Sequence, residues 1–130
     1  MKKTVFLGGT CGTSTWRENL IERLTINYYN PVVPDWTPEV QAEELKQRRD
    51  CEICLYVITP EMQGVYSVAE VVDDSNKRPE KTVFYFDQSS QEFNPHQTKS
   101  LIAVGQMIEE NGAIWCKTWN ELIETLNERI

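Results

Sequence analysis

Positive charge is scarce in this chain, with 13 lysines and arginines against 20 aspartates and glutamates, a formal net charge of −7 with the lone histidine neutral. That deficit works against the attraction that supplies most affinity for nucleic acid or an anionic bilayer, and both partners are set aside. Long hydrophobic runs are missing too, which excludes a membrane span. The opening Met1-Lys2-Lys3 resembles the start of a signal peptide, yet only Thr4–Leu7 follows before Gly8-Gly9, short of a secretory apolar segment, so a cytoplasmic protein is expected. Cysteine is limited to Cys11, Cys51, Cys54 and Cys116, expected as reduced thiols in such a compartment. Cys51-x-x-Cys54 has no second pair to complete a zinc site, and buried thiols entering a strand are the simpler reading. His96 has no serine or cysteine partner in a motif and reads as solvated. Neither a G-x-G-x-x-G fingerprint nor a lysine-bearing P-loop is present, so nothing supports a dinucleotide or nucleoside-triphosphate enzyme, and no cofactor or metal is expected. Glycine and proline gather into no linker and no repeat appears, so one domain over residues 1–130 is expected.

What is there alternates between strand and helix signals. Thr4–Leu7 is a β-rich run ended by Gly8-Gly9, and Thr15-Trp16-Arg17-Glu18 has the spacing of a capping box, with Leu20, Ile21 and Leu24 at helical intervals behind it. Tyr28–Val33 reads as a second strand whose Pro31 suits an edge, and Thr37-Pro38 opens a helix running to about Asp50. Ile53–Ile58, closed by Thr59-Pro60, is the most apolar segment and predicts a strand buried on both faces. Ser67 is placed as the cap of a third helix with Val68, Ala69, Val71 and Val72 on its buried side. A strand Lys81–Phe86, a helix from Asn94-Pro95 to Asn111-Gly112, a strand Ala113–Cys116 and a capping box Thr118-Trp119-Asn120-Glu121 complete the chain. Five strands alternating with five helices predict a doubly wound, flavodoxin-like α/β fold: a five-stranded parallel sheet with helices on both faces.

In such a sheet chemistry belongs at the carboxyl ends of the strands, here the loops Gly8–Ser14, Pro34–Thr37, Thr59–Ser67 and Asp87 onward. The first loop combines glycines, hydroxyls and a helix start, a combination that suits a phosphate or a sugar and equally a tight turn with a polar cap. Glu70 falls near the start of the third helix, where the helix dipole favours the ionised carboxylate that a nucleophile must be. Glycosidic chemistry pairs such a group with a second carboxyl, for which Asp35, Glu43, Glu44, Glu61 and Asp87 are candidates. Trp16, Trp36 and Tyr66 lie near the same rim, where aromatic faces stack on a nucleobase or simply pack. The acids of the final helix, Glu121, Glu124 and Glu128, read as a solvated face.

The segment Leu55-Tyr56-Val57-Ile58-Thr59-Pro60-Glu61-Met62-Gln63-Gly64-Val65-Tyr66-Ser67-Val68-Ala69-Glu70 resembles the central motif of the nucleoside 2-deoxyribosyltransferase-like family. Pro31-Val32-Val33-Pro34-Asp35-Trp36 and Val5-Phe6-Leu7-Gly8-Gly9-Thr10 are similar to that family's second and first strand ends. The resemblance implies cofactor-independent exchange of the base of a 2′-deoxynucleoside through a covalent ester on a glutamate, the position held by Glu70. It implies that Glu44 or its neighbour Glu43 binds and orients the sugar. Gly8, Gly9 and Thr10 would line the sugar side, Asp35 and Trp36 would contact base or sugar, and Tyr66 would position the nucleophile or wall off the base. Relatives carry an acid shortly before the nucleophile that serves the base, where this chain has Gln63-Gly64, with Glu61 further back. A homo-oligomer is expected by the same analogy.

Two other functions fit the pattern. One is hydrolysis of nucleoside 5′-monophosphates, with the hydroxyls of Thr10–Thr15 and Arg17 holding the phosphate. The other is a nucleotide-binding module that kept the fold and lost the chemistry, suggested by the missing acid beside Gln63-Gly64.

Overall fold

The computed structural model describes residues 2–129; Met1 and Ile130, the two ends of the expected domain, lie outside the described residues. In chain order the elements are β1 (Thr4–Gly9), α1 (Trp16–Ile21), β2 (Asn27–Tyr29), α2 (Pro38–Asp50), β3 (Ile53–Ile58) and α3 (Tyr66–Lys77). After a 3-10 turn come β4 (Thr82–Phe86), α4 (Pro95–Glu110), β5 (Ile114–Cys116) and α5 (Trp119–Glu124), the last continued by a π-helical turn, Thr125–Arg129. The strands form one all-parallel sheet in the order β2-β1-β3-β4-β5. This is the flavodoxin-like doubly wound arrangement, and its strand order reverses direction between β1 and β3.

Strand alternation sorts the core into two layers. Val5, Leu7, Leu55, Val57, Val83 and Tyr85 face α1 and α5, meeting Trp16, Leu20, Leu122 and Leu126. Phe6, Tyr56, Ile58, Phe84, Phe86 and Trp115 face α3 and α4, meeting Val71, Leu101 and Ile108. Every residue of β3 is buried, as its unbroken apolar run predicts for a central strand. Truncating one of these side chains, such as the fully buried Leu55, costs about 2–5 kcal/mol by transfer and cavity formation together. Among the described residues, no helix is long and apolar enough to cross a membrane.

Three helix starts follow their sequence signals. Thr37 Oγ1 accepts from the Val40 amide ahead of Pro38, and Asn94 and Gln97 form a reciprocal capping box. Thr118 accepts from the Glu121 amide, but the Glu121 carboxylate returns to the Lys117 amide instead of closing the box.

Other boundaries differ from the sequence-based expectation. Thr15 precedes α1 with φ −109° and ψ 15°, not extended, so its side chain makes no cap bond. α3 begins at Tyr66, which puts Ser67 inside the first turn, and Ala69 is exposed while Val71 is fully buried. β1 runs through Gly8 and Gly9, which pair with Tyr56 and Val57. β2 stops at Tyr29, short of the expected Val33, because Pro31 and Pro34 remove ladder donors and the Val32 amide turns to Asn30 Oδ1.

Candidate active site

At the carboxyl end of β1, beside the reversal in strand order and enclosed by the loop after β2, α2 and the start of α3, lies a cavity of about 520 Å3. Gly8 and Gly9 of β1 form part of its floor, Glu44 of α2 and Glu70 of α3 its polar wall, and Val32, Val33, Trp36 and Tyr66 its mouth. The two glycines are explained by their strand neighbours. A Cβ on Gly8 would lie 2.6 Å from Tyr56 Cε1, and one on Gly9, at φ +122°, would collide with the Val57 carbonyl oxygen.

Glu70 sits one turn into α3 with its side chain 13% exposed. Burial pushes its carboxyl up to about 7; Arg48 opposes the rise, while the charges of Glu44 and Asp74 add to it. Glu44 is also raised by burial, against the pull of Arg17 and Arg48. The cavity therefore holds two carboxyls whose neutral forms are favoured by their surroundings, and Glu70 changes charge near neutral pH.

Beneath Glu70 lies a polar network that no sequence motif announced. Asp74, fully buried, accepts from Arg48 Nε and Nη2 at 3.1 and 2.9 Å, from Arg78 Nε and Nη2 at 3.0 and 2.7 Å, and from the Tyr56 hydroxyl at 2.5 Å. Arg48 Nη2 also reaches the Glu70 carbonyl and Asp73, and Nη1 lies 3.7 Å from Glu70 Oε2. Burial pulls Arg48 down, but the hydrogen bond to Asp74 and the surrounding negative charge outweigh it and keep the guanidinium charged. Burial, reinforced by Asp74, holds the Tyr56 phenol protonated. Two signals in the sequence point to this network: Asp74 stands four residues after Glu70, on the same helix face, and Tyr56 carries the one hydroxyl in the run Ile53–Ile58.

The sequence-predicted residues divide. Gly8, Gly9, Glu44, Trp36, Tyr66 and Glu70 share the cavity. Thr10 is buried beside it, accepting from the Thr59 amide through Oγ1 and from Trp16 and Arg17 through its carbonyl, and it lines the adjoining hollow. Asp35 and Glu43 are exposed and outside the cavity wall; Glu43 accepts from Gln47. Glu61 and Asp87 line a separate hollow over the ends of β3 and β4. Trp16 is buried against the core with its indole N–H on the Thr10 carbonyl, which removes it from the exposed rim. Arg17, assigned to a phosphate in the hydrolase reading, also lines the cavity, but it is buried and donates to the carbonyls of Leu7, Gly9 and Thr10. Cys51 and Cys54 donate to Gln47 and to the Arg48 carbonyl, and burial pushes their thiols up to about 11 and about 12.

No curated protein matches this sequence. The family model described as nucleoside 2-deoxyribosyltransferase like matches residues 2–79, the span from β1 through α3 that builds the cavity. With more than half of its length matched and the parallel sheet of that order in place, the chain belongs to the nucleoside 2-deoxyribosyltransferase-like family.

Proposed function

We propose that this protein transfers 2-deoxyribose between nucleobases, with Glu70 as the nucleophile. The observation that carries this reading is the Glu70 carboxylate, largely buried in a cavity at the sheet's switch point, with a second carboxyl, Glu44, in the same wall. A Glu70 oxygen attacks C1′ as the N-glycosidic bond breaks, and the bonding pair leaves with the base, which takes up a proton. A nitrogen of the incoming base then attacks C1′ of the ester, loses its proton, and returns Glu70 as a carboxylate. Glu44 faces the positive charge that develops on the sugar during both steps. Tyr66, 70% exposed at the mouth, serves as a wall for the base. The exposed Val32, Val33 and Trp36 beside it support a homo-oligomer in which a second copy covers the rim.

Two features favour a nucleoside over its 5′-monophosphate. Arg17 lines the cavity, but its Nε, Nη1 and Nη2 all donate to backbone carbonyls, and among the described residues the adjoining hollow, with Thr10, Thr13 and Ser67 in its walls, is lined by neither lysine nor arginine.

Chromatography of wild-type and Glu70→Ala protein, incubated with a deoxynucleoside and a different free base, tests the reading. New deoxynucleoside from the wild type alone is the expected result. Exchange that survives in Glu70→Ala, or base release confined to monophosphates, overturns it.

A further inference from the structure

α2 carries a charge where most helices carry an apolar anchor: Arg48 is its one buried residue. The side chain reaches Asp74 on α3 with two parallel hydrogen bonds, the fork geometry that fixes a guanidinium in space. Asp74 is itself immobilised from two further sides, by Arg78 and by the Tyr56 hydroxyl of β3. The remaining Arg48 nitrogen, Nη1, stops 3.7 Å from Glu70 Oε2, too far for a hydrogen bond and near enough for strong attraction.

We propose that Arg48 is a positioning residue for Glu70, restrained by Asp74 so that it attracts the carboxylate without bonding it and leaves both oxygens free to meet a sugar carbon. The inference rests on the reading of Glu70 as nucleophile. An arginine bonded directly to Glu70 would stabilise the anion and blunt its attack, whereas no arginine at all would leave the carboxyl protonated in its buried setting. Asp74 holds the intermediate condition. The charged and titratable groups around Glu70 are Arg48 and Glu44 from α2, Tyr56 from β3, and Asp73 and Asp74 from α3, with Arg17 of α1 acting on Glu44.

The two partners are predicted to act in opposite directions, which a purely structural role does not do. The probe is the carboxyl 13C resonance of Glu70, assigned by its loss in Glu70→Gln and titrated without substrate. Arg48→Gln raises the midpoint by about one pH unit or more. Asp74→Asn lowers it, because Arg48 is released toward Glu70 and a neighbouring negative charge is removed. The acidic limb of kcat moves with the midpoint in each variant. Should Arg48→Gln fail to fold, Arg48→Lys serves in its place: a lysine lacks the fork, is drawn to Asp74, and raises the Glu70 midpoint. Midpoints that stay in place, or that move in the same direction in the Arg48 and Asp74 variants, overturn the proposal. Because the titration needs no turnover, it stands apart from the base-exchange assay, in which retained activity of Glu70→Ala would instead remove the nucleophile reading.

Discussion

Arg48 bonds both oxygens of Asp74 at 3.1 and 2.9 Å while standing 3.7 Å from Glu70, so the deeper carboxylate, not the one facing the cavity, is its principal partner. The asymmetry fits the burial. Asp74 is fully buried and needs its charge compensated on every side, whereas Glu70 retains a path to solvent through the cavity.

Removing the anchor is costly. Asp74→Ala leaves the buried Arg48 and the half-buried Arg78 without their shared partner, and a loss of about 3–5 kcal/mol is expected. Urea denaturation followed by circular dichroism measures it; a loss no larger than that of an exposed acid such as Glu39→Ala would contradict the network's role.

Glu70 makes the folded protein less stable at high pH. Its carboxyl rises from 4.5 to about 7 on folding, so the folded state binds more protons between those values and stability falls as pH increases through that window. Glu70→Gln removes the penalty. The variant is expected to exceed the wild type by on the order of 1 kcal/mol or more at pH 8, with the gap closing toward pH 5. Melting curves at the two pH values decide, and equal stability at pH 8 speaks against it.

Activity should respond to pH in the opposite sense, rising as Glu70 ionises through about pH 7. Glu44 contributes to that high value, so Glu44→Gln shifts the acidic limb to lower pH while reducing kcat/KM by about 10- to 100-fold through loss of charge opposite the sugar. Glu43, exposed and bonded to Gln47, is the control: Glu43→Gln leaves both rate and limb unchanged. Steady-state kinetics across pH 5–9 separates the two residues.

Gly9 and Gly12 both have positive φ, +122° and +80°, but in different surroundings. Gly9→Ala drives a Cβ into β3 and is expected to cost about 3 kcal/mol or more; Gly12, with nothing within 4 Å, should lose only about 1 kcal/mol. Similar thermal shifts for the two variants would show that backbone conformation alone, without the β3 contact, sets the cost.

The fold was legible where local signals and burial agree. Ile53–Ile58 is apolar without interruption and is central, and Thr37 and Asn94 sit extended before their helices and cap them. Legibility failed where a local pattern met a nonlocal constraint. Val32 and Val33 look like strand but stand between prolines that cannot join a ladder, and Thr15 has capping-box spacing without the backbone angles that aim its hydroxyl. For the site, loop placement brought out Glu70, Glu44, Trp36 and Tyr66, which the fold gathers, together with Asp35 and Glu43, which are exposed outside the cavity wall. Arg48 and Asp74 escaped notice because a charge in a helix reads as solvated until the contact of α2 with α3 is known, and Tyr56 because it sits in an otherwise apolar strand.

The glycines under the cavity divide the site into two parts with different freedom to vary. Its floor is occupied in advance by β3, since any side chain at Gly8 or Gly9 would strike Tyr56 or Val57. The mouth carries no such obligation: Val32, Val33, Trp36 and Tyr66 are all exposed. Under the proposed base exchange, new base preferences, whether selected in nature or introduced by design, would therefore be confined to the mouth, where residues can be exchanged at little expense to the sheet, while the glycine floor is inherited with the fold.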